Sequence, residues 1–156
     1  VPVVTTCQPS CKGLYIFIMP AQDIIHNAVK NALIKDRWII TDDPYTIEYE
    51  DATVFIDLGA ERVIAAERAN EKIAVEIKSF VGHSVIRDIE LALGQYVLYI
   101  SFLETVEPDR KLYLAISDIV YGNIFERKSI DWLVKRNKVP LIVVNILKEE
   151  IFRWIK

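Results

Sequence analysis

The stretch DLGAERVIAAERANEKIAVEIK, residues 57–78, decides how this chain is read. Asp57 ends a β-rich run, Thr53-Val54-Phe55-Ile56-Asp57, and Leu58-Gly59 closes that run. Arg62 to Glu67 and Lys72 to Lys78 are two strand candidates, with Arg68-Ala69-Asn70-Glu71 as the turn of a hairpin between them. Alternate side chains of a strand share a face. Glu76 and Lys78 therefore point one way, and Val75 and Ile77 point into a core. Ala74, Val75, Ile77 and Phe80 suit a central strand, where a paired Glu and Lys are less ordinary than on a solvated face. If the strand of Asp57 lies beside this one, two carboxylates and an ammonium converge on one edge of a sheet.

That set suits metal-assisted phosphodiester hydrolysis. Two carboxylates offer hard oxygen ligands to Mg²⁺ or Mn²⁺, with the backbone carbonyl of Ile77 as a further one. Such a metal polarises a phosphoryl oxygen and helps generate hydroxide. A lysine beside it orients the attacking water or stabilises developing charge. The same three residues also fit a structural cross-strand ion pair, which contributes little to stability.

Outward from this stretch, Gln22 to Asp36 reads as a helix, because Ile24, Ile25, Ala28, Val29, Ala32 and Leu33 form one apolar face. Trp38-Ile39-Ile40 and Tyr45 to Tyr49 are strand candidates on either side of Asp42-Asp43-Pro44. Gly82 breaks the chain, and Ser84 is an N-cap candidate for a long helix reaching about Leu103. That helix is apolar on most sides, which predicts that it is largely buried. Leu112 to Ser117 reads as a strand and Ile124 to Arg136 as an amphipathic helix. Leu141 to Ile146 is a continuous apolar run suited to a buried strand, and Glu149 to Lys156, with Phe152 and Trp154, is expected to pack back on the core. Hairpin-joined strands followed by strands separated by helices predict an α/β (α+β) fold with a mixed central β-sheet flanked by helices.

The composition agrees with one globular domain. The chain has 156 residues, 52% of them apolar and 26% charged. Nineteen Lys and Arg against 22 Asp and Glu leave a net charge of −3, so any contact with nucleic acid must come from a local patch. No uninterrupted apolar run approaches the roughly 18–20 residues of a membrane helix, and no membrane partner is expected. The only cysteines, Cys7 and Cys11, argue against a disulfide scaffold, and without a second Cys or His pair nearby they do not complete a zinc site. These features suit a cytoplasmic protein. Residues 1–18 differ in character from the rest and read as an extension outside the fold, with a single domain over 19–156 beginning at Met19-Pro20.

The runs MPAQDIIHNAVKNALIKD (19–36), DPYTIEYED (43–51), DLGAERVIAAER (57–68), KIAVEIKSF (72–80), ELALGQYVLY (90–99), EPDRKLYLAIS (107–117) and PLIVVNI (140–146) are long and specific. Through them the chain resembles the XisH-type family, the cyanobacterial fdxN element excision controlling factor proteins. The spacing of Asp57 to Glu76-Ile77-Lys78 also resembles the PD-(D/E)-x-K nuclease superfamily. The resemblance implies a restriction-endonuclease-like core. It also implies a role in excising a DNA element during heterocyst differentiation, with a site-specific recombinase and a companion excision-controlling protein as partners. A homodimer is a further expectation, since nucleases of this fold often pair to cut two strands.

Carried over residue by residue, the resemblance makes Asp57 and Glu76 the Mg²⁺ or Mn²⁺ ligands and Lys78 the catalytic lysine. The superfamily's helix acid falls on His26, a departure that suits Mn²⁺ better than Mg²⁺, with Asp23 as the nearest alternative. Gln95 matches a helix glutamine that contacts the scissile phosphate or holds the lysine. Each residue also has a plain structural reading. His26 suits a helix surface, Gln95 can satisfy backbone groups, His83 a loop, and Tyr96 and Tyr99 the core. Arg127, Lys128, Lys135, Arg136 and Lys138 either meet phosphates or form a solvated face, and Asp88 and Glu90 can neutralise Arg87 within its own helix. Two functional classes follow: a DNA endonuclease, alone or as the toxin-like or restriction-like half of a two-gene module, and a catalytically inactive accessory protein. Completeness of the motif favours the first, and the missing helix acid and the acidic net charge favour the second.

Overall fold

The computed structural model describes residues 21–64 and 69–156. The expected 1–18 extension lies outside the described residues.

Helix α1 (Ala21–Lys35) turns its Ile25, Val29, Ala32 and Leu33 stripe inward, as its apolar spacing requires. Strand β1 (Ile39–Asp42) follows, then β2 (Tyr45–Tyr49) and β3 (Ala52–Ile56), a hairpin that forms a two-stranded sheet of its own. Next come β4 (Leu58–Ile64), β5 (Ala69–Ile77), α2 (Val85–Val106) and β6 (Arg110–Ser117). A short helix α3 (Asp118–Val120) runs into a π-helical turn at Tyr121–Phe125 and is followed by α4 (Lys128–Arg136), β7 (Leu141–Asn145) and β8 (Glu150–Ile155).

The main sheet has the order β1-β4-β5-β6-β7-β8. β5, β6 and β7 are parallel, joined by crossovers that carry α2 and α4, and the remaining neighbours are antiparallel. This is the expected mixed central sheet flanked by helices. One face packs on α1 through Leu58, Ala60, Ile73, Val75, Tyr113, Ala115, Ile142 and Val144. Leu114, Ile116, Leu141 and Val143 on the other face meet Ile89 and Ala92 of α2 and Ile130 and Val134 of α4. A third cluster packs Ile47 and Ile56 of the hairpin with Ala74, Tyr99, Leu103 and Leu112. β5, predicted to be central, lies between β4 and β6.

Four sequence readings change. The hairpin turn expected at 68–71 is displaced, because Ala69, Asn70 and Glu71 already belong to β5, while Arg68 lies outside the described residues. Leu58-Gly59 does not close the sheet region. The chain bends at Asp57 and continues directly into β4, where Leu58 and Ala60 alternate into the core and Leu58 pairs with Val75. Gly59 allows this bend to lie close to β1, because a Cβ there would stand 2.9 Å from the Asp42 carboxylate. The helix expected over Ile124 to Arg136 is broken, since the π-helical turn buries both Ile124 and Phe125 before α4 begins. Finally, α2 is not largely buried. Ile89, Ala92, Tyr99 and Leu103 face the core, whereas Ile86, Leu91, Val97, Leu98 and Val106 are exposed. By length and composition α2 is long and apolar enough to cross a membrane, yet one face of it is packed against the sheet and hairpin.

Ser84 caps α2 as expected, its hydroxyl accepting from the Arg87 N–H. In the tail, Trp154 packs against Trp38 and edge-on against Tyr113, while Phe152 stays exposed.

One buried cation ties these layers together. Arg110, 6% exposed at the start of β6, donates to Glu107 at the C-cap of α2 (2.7 Å), to the Ile73 carbonyl of β5 (2.9 Å) and to Glu61 of β4 (3.1 Å). Its guanidinium lies 4.5 Å from the ring centroid of Tyr45 in β2. Burial alone would raise the Glu107 carboxyl, but hydrogen bonds from Arg110, Tyr45 and Lys72 hold it down at about 2. The same contacts push the Tyr45 hydroxyl up to about 12, through burial first and then the Glu107 carboxylate it donates to.

Removing the cation should take the Arg110 donor from the Ile73 carbonyl and Glu61 and leave Glu107 only Tyr45 and Lys72, so Arg110→Met is expected to cost about 3–5 kcal/mol in urea unfolding. Because Glu107 is depressed in the folded state, its contribution is present above the ordinary carboxylate range near 4.5 and is lost as pH falls towards about 2. Acid unfolding should therefore steepen across that interval, and Glu107→Gln should flatten it while lowering stability at neutral pH.

Candidate active site

Three elements meet at the carboxyl end of β5. In open sheets with parallel strands, this end is where ligand sites form. The bend between β3 and β4 supplies Asp57, β5 and its continuation supply Glu76 and Lys78, and the first turns of α1 supply Gln22, Asp23 and His26. All six line one cavity of about 310 Å³, together with Ile25, Ile77 and Ser79.

The two carboxylates are held differently. Asp57 Oδ2 accepts from the Ile77 N–H at 2.7 Å, which pins the bend to the end of β5 and aims Asp57 at its neighbour. Glu76 is only 7% exposed, and its Oε1 lies 2.7 Å from Lys78 Nζ. Burial, and then repulsion from Asp57, push the Glu76 carboxyl above its ordinary range, and Lys78 opposes this only in part. The Lys78 N–H also donates to the Ala115 carbonyl at 2.9 Å, so the β5–β6 ladder carries the lysine to the rim. Immediately beyond, Phe80 adopts a left-handed conformation, φ 52°, and stacks edge-on against Phe125 at 5.2 Å between centroids.

The other expected residues are divided. His26 lines the cavity, but its Nε2 lies 2.9 Å from Asp43 Oδ1, and Lys30 holds the other oxygen of that carboxylate at 2.7 Å. Asp23 is on the same wall. Gln95 lines an adjoining cavity that shares Gln22, Lys78 and Ser79, and its Nε2 reaches the Tyr99 hydroxyl at 3.5 Å. His83 is exposed in the loop before α2 and lines neither of these cavities. Arg87 pairs with Glu90, whereas Asp88 instead accepts from the Gly82 N–H. In the basic cluster, Lys135 pairs with Asp131, and Arg136 lies over the exposed Trp132.

Two residues at the site went unmarked in the sequence. Gln22 stands on both cavity walls, and nothing in its spacing distinguishes it from other polar helix residues. Tyr99, read as core, is buried, but the charges of Glu76 and Asp57 reach it and, after burial itself, raise its hydroxyl above the ordinary range.

The donor set fits a hard divalent cation. Two crowded carboxylates, one of them buried and resisting ionisation, gain from any cation placed between them. The Ile77 backbone lies on the same wall. Among the described residues, no group of three or more His, Cys, Asp or Glu could hold a metal by itself. A site of this kind would draw its remaining ligands from water or from a phosphate. The electrostatics predict opposite stability effects at the two ends of the pair. The raised Glu76 costs stability at neutral pH, and that cost fades as pH falls through its raised value. Without divalent cation, Glu76→Gln should therefore raise the thermal midpoint, most at neutral pH, and Lys78→Met should lower it.

The comparisons with known proteins extend over the residues that line this cavity. The family model described as XisH protein matches residues 19–152. The crystal structure of an XisH family protein from Nostoc punctiforme is 38% identical and superposes with a TM-score of 0.78 over 86% of this chain and 100% of that one. The crystal structure of a fdxN element excision controlling factor protein from Anabaena variabilis is 40% identical, with a TM-score of 0.77 over 86% and 99% of the two chains. No curated protein matches the chain. With the family model spanning nearly all of it and two solved folds closely superposed, this chain belongs to the XisH family.

Proposed function

We propose that this chain is an excision controlling factor for a DNA element, working in the cytoplasm through a Mg²⁺- or Mn²⁺-dependent site of the PD-(D/E)-x-K type on a restriction-endonuclease-like core. The observation that carries this reading is the convergence of Asp57, Glu76 and Lys78 on one cavity at the end of an interior strand. Excision control comes from the family and from the name of the Anabaena variabilis relative.

Asp57 and Glu76, with the Ile77 carbonyl, would hold the cation. Bound there, it would polarise a phosphodiester and lower the pKa of a ligated water. The chain's own residues do the positioning. Glu76 anchors the Lys78 ammonium at the cavity rim, where it attracts a phosphate and orients the attacking water. Gln95, on the wall of the adjoining cavity with Lys78, would contact the scissile phosphate. His26 is tethered through Nε2 to Asp43, so only its other ring nitrogen is offered to a ligand.

A second reading is favoured by the sparse donor set. With two carboxylates and no three-donor group among the described residues, the fold also suits a catalytically inactive accessory that binds a recombinase or a companion excision protein.

Calorimetric titration of Mn²⁺ and Mg²⁺ separates the two. Saturable binding by the wild type that is lost in Glu76→Ala supports the cation site. Cleavage of DNA substrates should then fall at least about 100-fold in Lys78→Ala with the fold retained. Absence of binding, both alone and with DNA present, would transfer the assignment to the accessory reading.

A further inference from the structure

The cavity that adjoins the candidate site has a volume of about 420 Å³ and shares Lys78 with it. That size falls within the roughly 300–1,000 Å³ of small-molecule sites. The rest of its lining differs in kind from the first cavity. Phe80, Val81 and Leu91 give it an apolar surface, and Asp88 gives it a carboxylate. Val81 is 71% exposed and Leu91 is 61% exposed, so both are open to a ligand. The walls are already formed. Phe80 keeps its left-handed φ of 52° with its ring set against Phe125, and such a backbone at a bulky residue is kept where the surroundings over-determine it, as at ligand clamps. The Gly82 N–H donates to Asp88 Oδ2 at 3.0 Å, and a Cβ on Gly82 would overlap the same carboxylate, so glycine lets the loop close on it. That hydrogen bond engages Oδ2 and leaves Oδ1 as an acceptor for a ligand.

We propose that this cavity takes an unpaired nucleobase next to the phosphate attracted by Lys78, and that Asp88 selects a base with an exocyclic amino group. The inference rests on the phosphodiester reading above and names the substrate of that site. The charges sort the ligand. Lys78 lies where the two cavities meet and attracts a phosphate, whereas Asp88 lines the second cavity alone and repels one. The group that extends from a nucleic-acid phosphate, carries no charge and has an apolar face is the base. Phe80, Val81 and Leu91 supply the surface on which it lies. Asp88 Oδ1 accepts from its amino group, as carboxylates accept from cytosine N4. Thymine has a carbonyl or a methyl group at its exposed edge and offers no such donor. A base inside a duplex is stacked, and its amino group is already paired, so it cannot enter. The substrate is therefore a strand with an unpaired or extruded nucleotide.

Fluorescence anisotropy of the full chain with short labelled duplexes tests the proposal. The duplexes are perfect or carry one unpaired cytosine, thymine or abasic nucleotide, and each set is compared in EDTA and in Ca²⁺, which takes the same oxygen ligands. Unpaired cytosine should bind roughly tenfold or more tightly than the perfect duplex and than the abasic bulge, and roughly tenfold more tightly than thymine. Asp88→Asn keeps an oxygen for the Gly82 N–H but brings an amide donor to the base. It should melt like the wild type and lose or reverse the preference for cytosine over thymine. Leu91→Ala should weaken both unpaired bases more than the perfect duplex, whereas Lys78→Ala should weaken every DNA. The proposal is overturned if unpaired cytosine binds no better than the perfect duplex or the abasic bulge, if cytosine and thymine bind alike, or if Asp88→Asn keeps the preference. The cation site fails or stands separately. Base preference without Mn²⁺ binding or cleavage would remove the enzyme and keep the base pocket, and cleavage of perfect duplex without base preference would do the reverse.

Discussion

Arg110 brings a guanidinium into the interior, where an unpaired charge would cost several kcal/mol. The structure tolerates it only because every side of the group is met: Glu107 and Glu61 by charge, Ile73 by its carbonyl, Tyr45 by its ring. Those partners come from β2, β4, β5 and the end of α2, elements that local sequence does not bring together. Arg110 therefore ties these elements to one another. The hairpin cannot leave the sheet without exposing Arg110, and α2 cannot shift along β6 without removing Glu107.

With the layers held, the site forms at the far end of β5. There the energetics reverse. Arg110 and Glu107 stabilise each other, whereas Asp57 and Glu76 repel, and Lys78 offsets only part of that repulsion. The backbone tolerates the crowding because Asp57 is held by the Ile77 N–H and Glu76 by its strand. Conflict at one end of a strand whose other residues pack consistently is a common mark of a functional site.

Much of this was legible residue by residue. The 2.0-residue alternation of Val75-Glu76-Ile77-Lys78 placed Val75 inside and Glu76 with Lys78, and the β5 ladder agrees. The apolar face of α1 and the Ser84 cap were equally plain, because periodicity and capping are local. Tyr99 was legible only as an apolar ring, and Gln22 not at all, because their importance lies in what faces them. The broken helix after Ile124 escaped because a π-helical turn keeps the same apolar residues and changes only their phase.

By itself the sequence determined the types of most elements, the interior position of β5 and the pairing of Glu76 with Lys78, since each depends on residues within a few positions of one another. Only the tertiary structure decided that Asp57 turns its carboxylate to the Ile77 N–H, that His26 is engaged by Asp43 and that the two-stranded hairpin stands apart from the main sheet. It also decided which half of α2 is inside. An apolar helix face has the same pattern whether its own sheet or another molecule covers it, and burial depends on what the rest of the chain can reach.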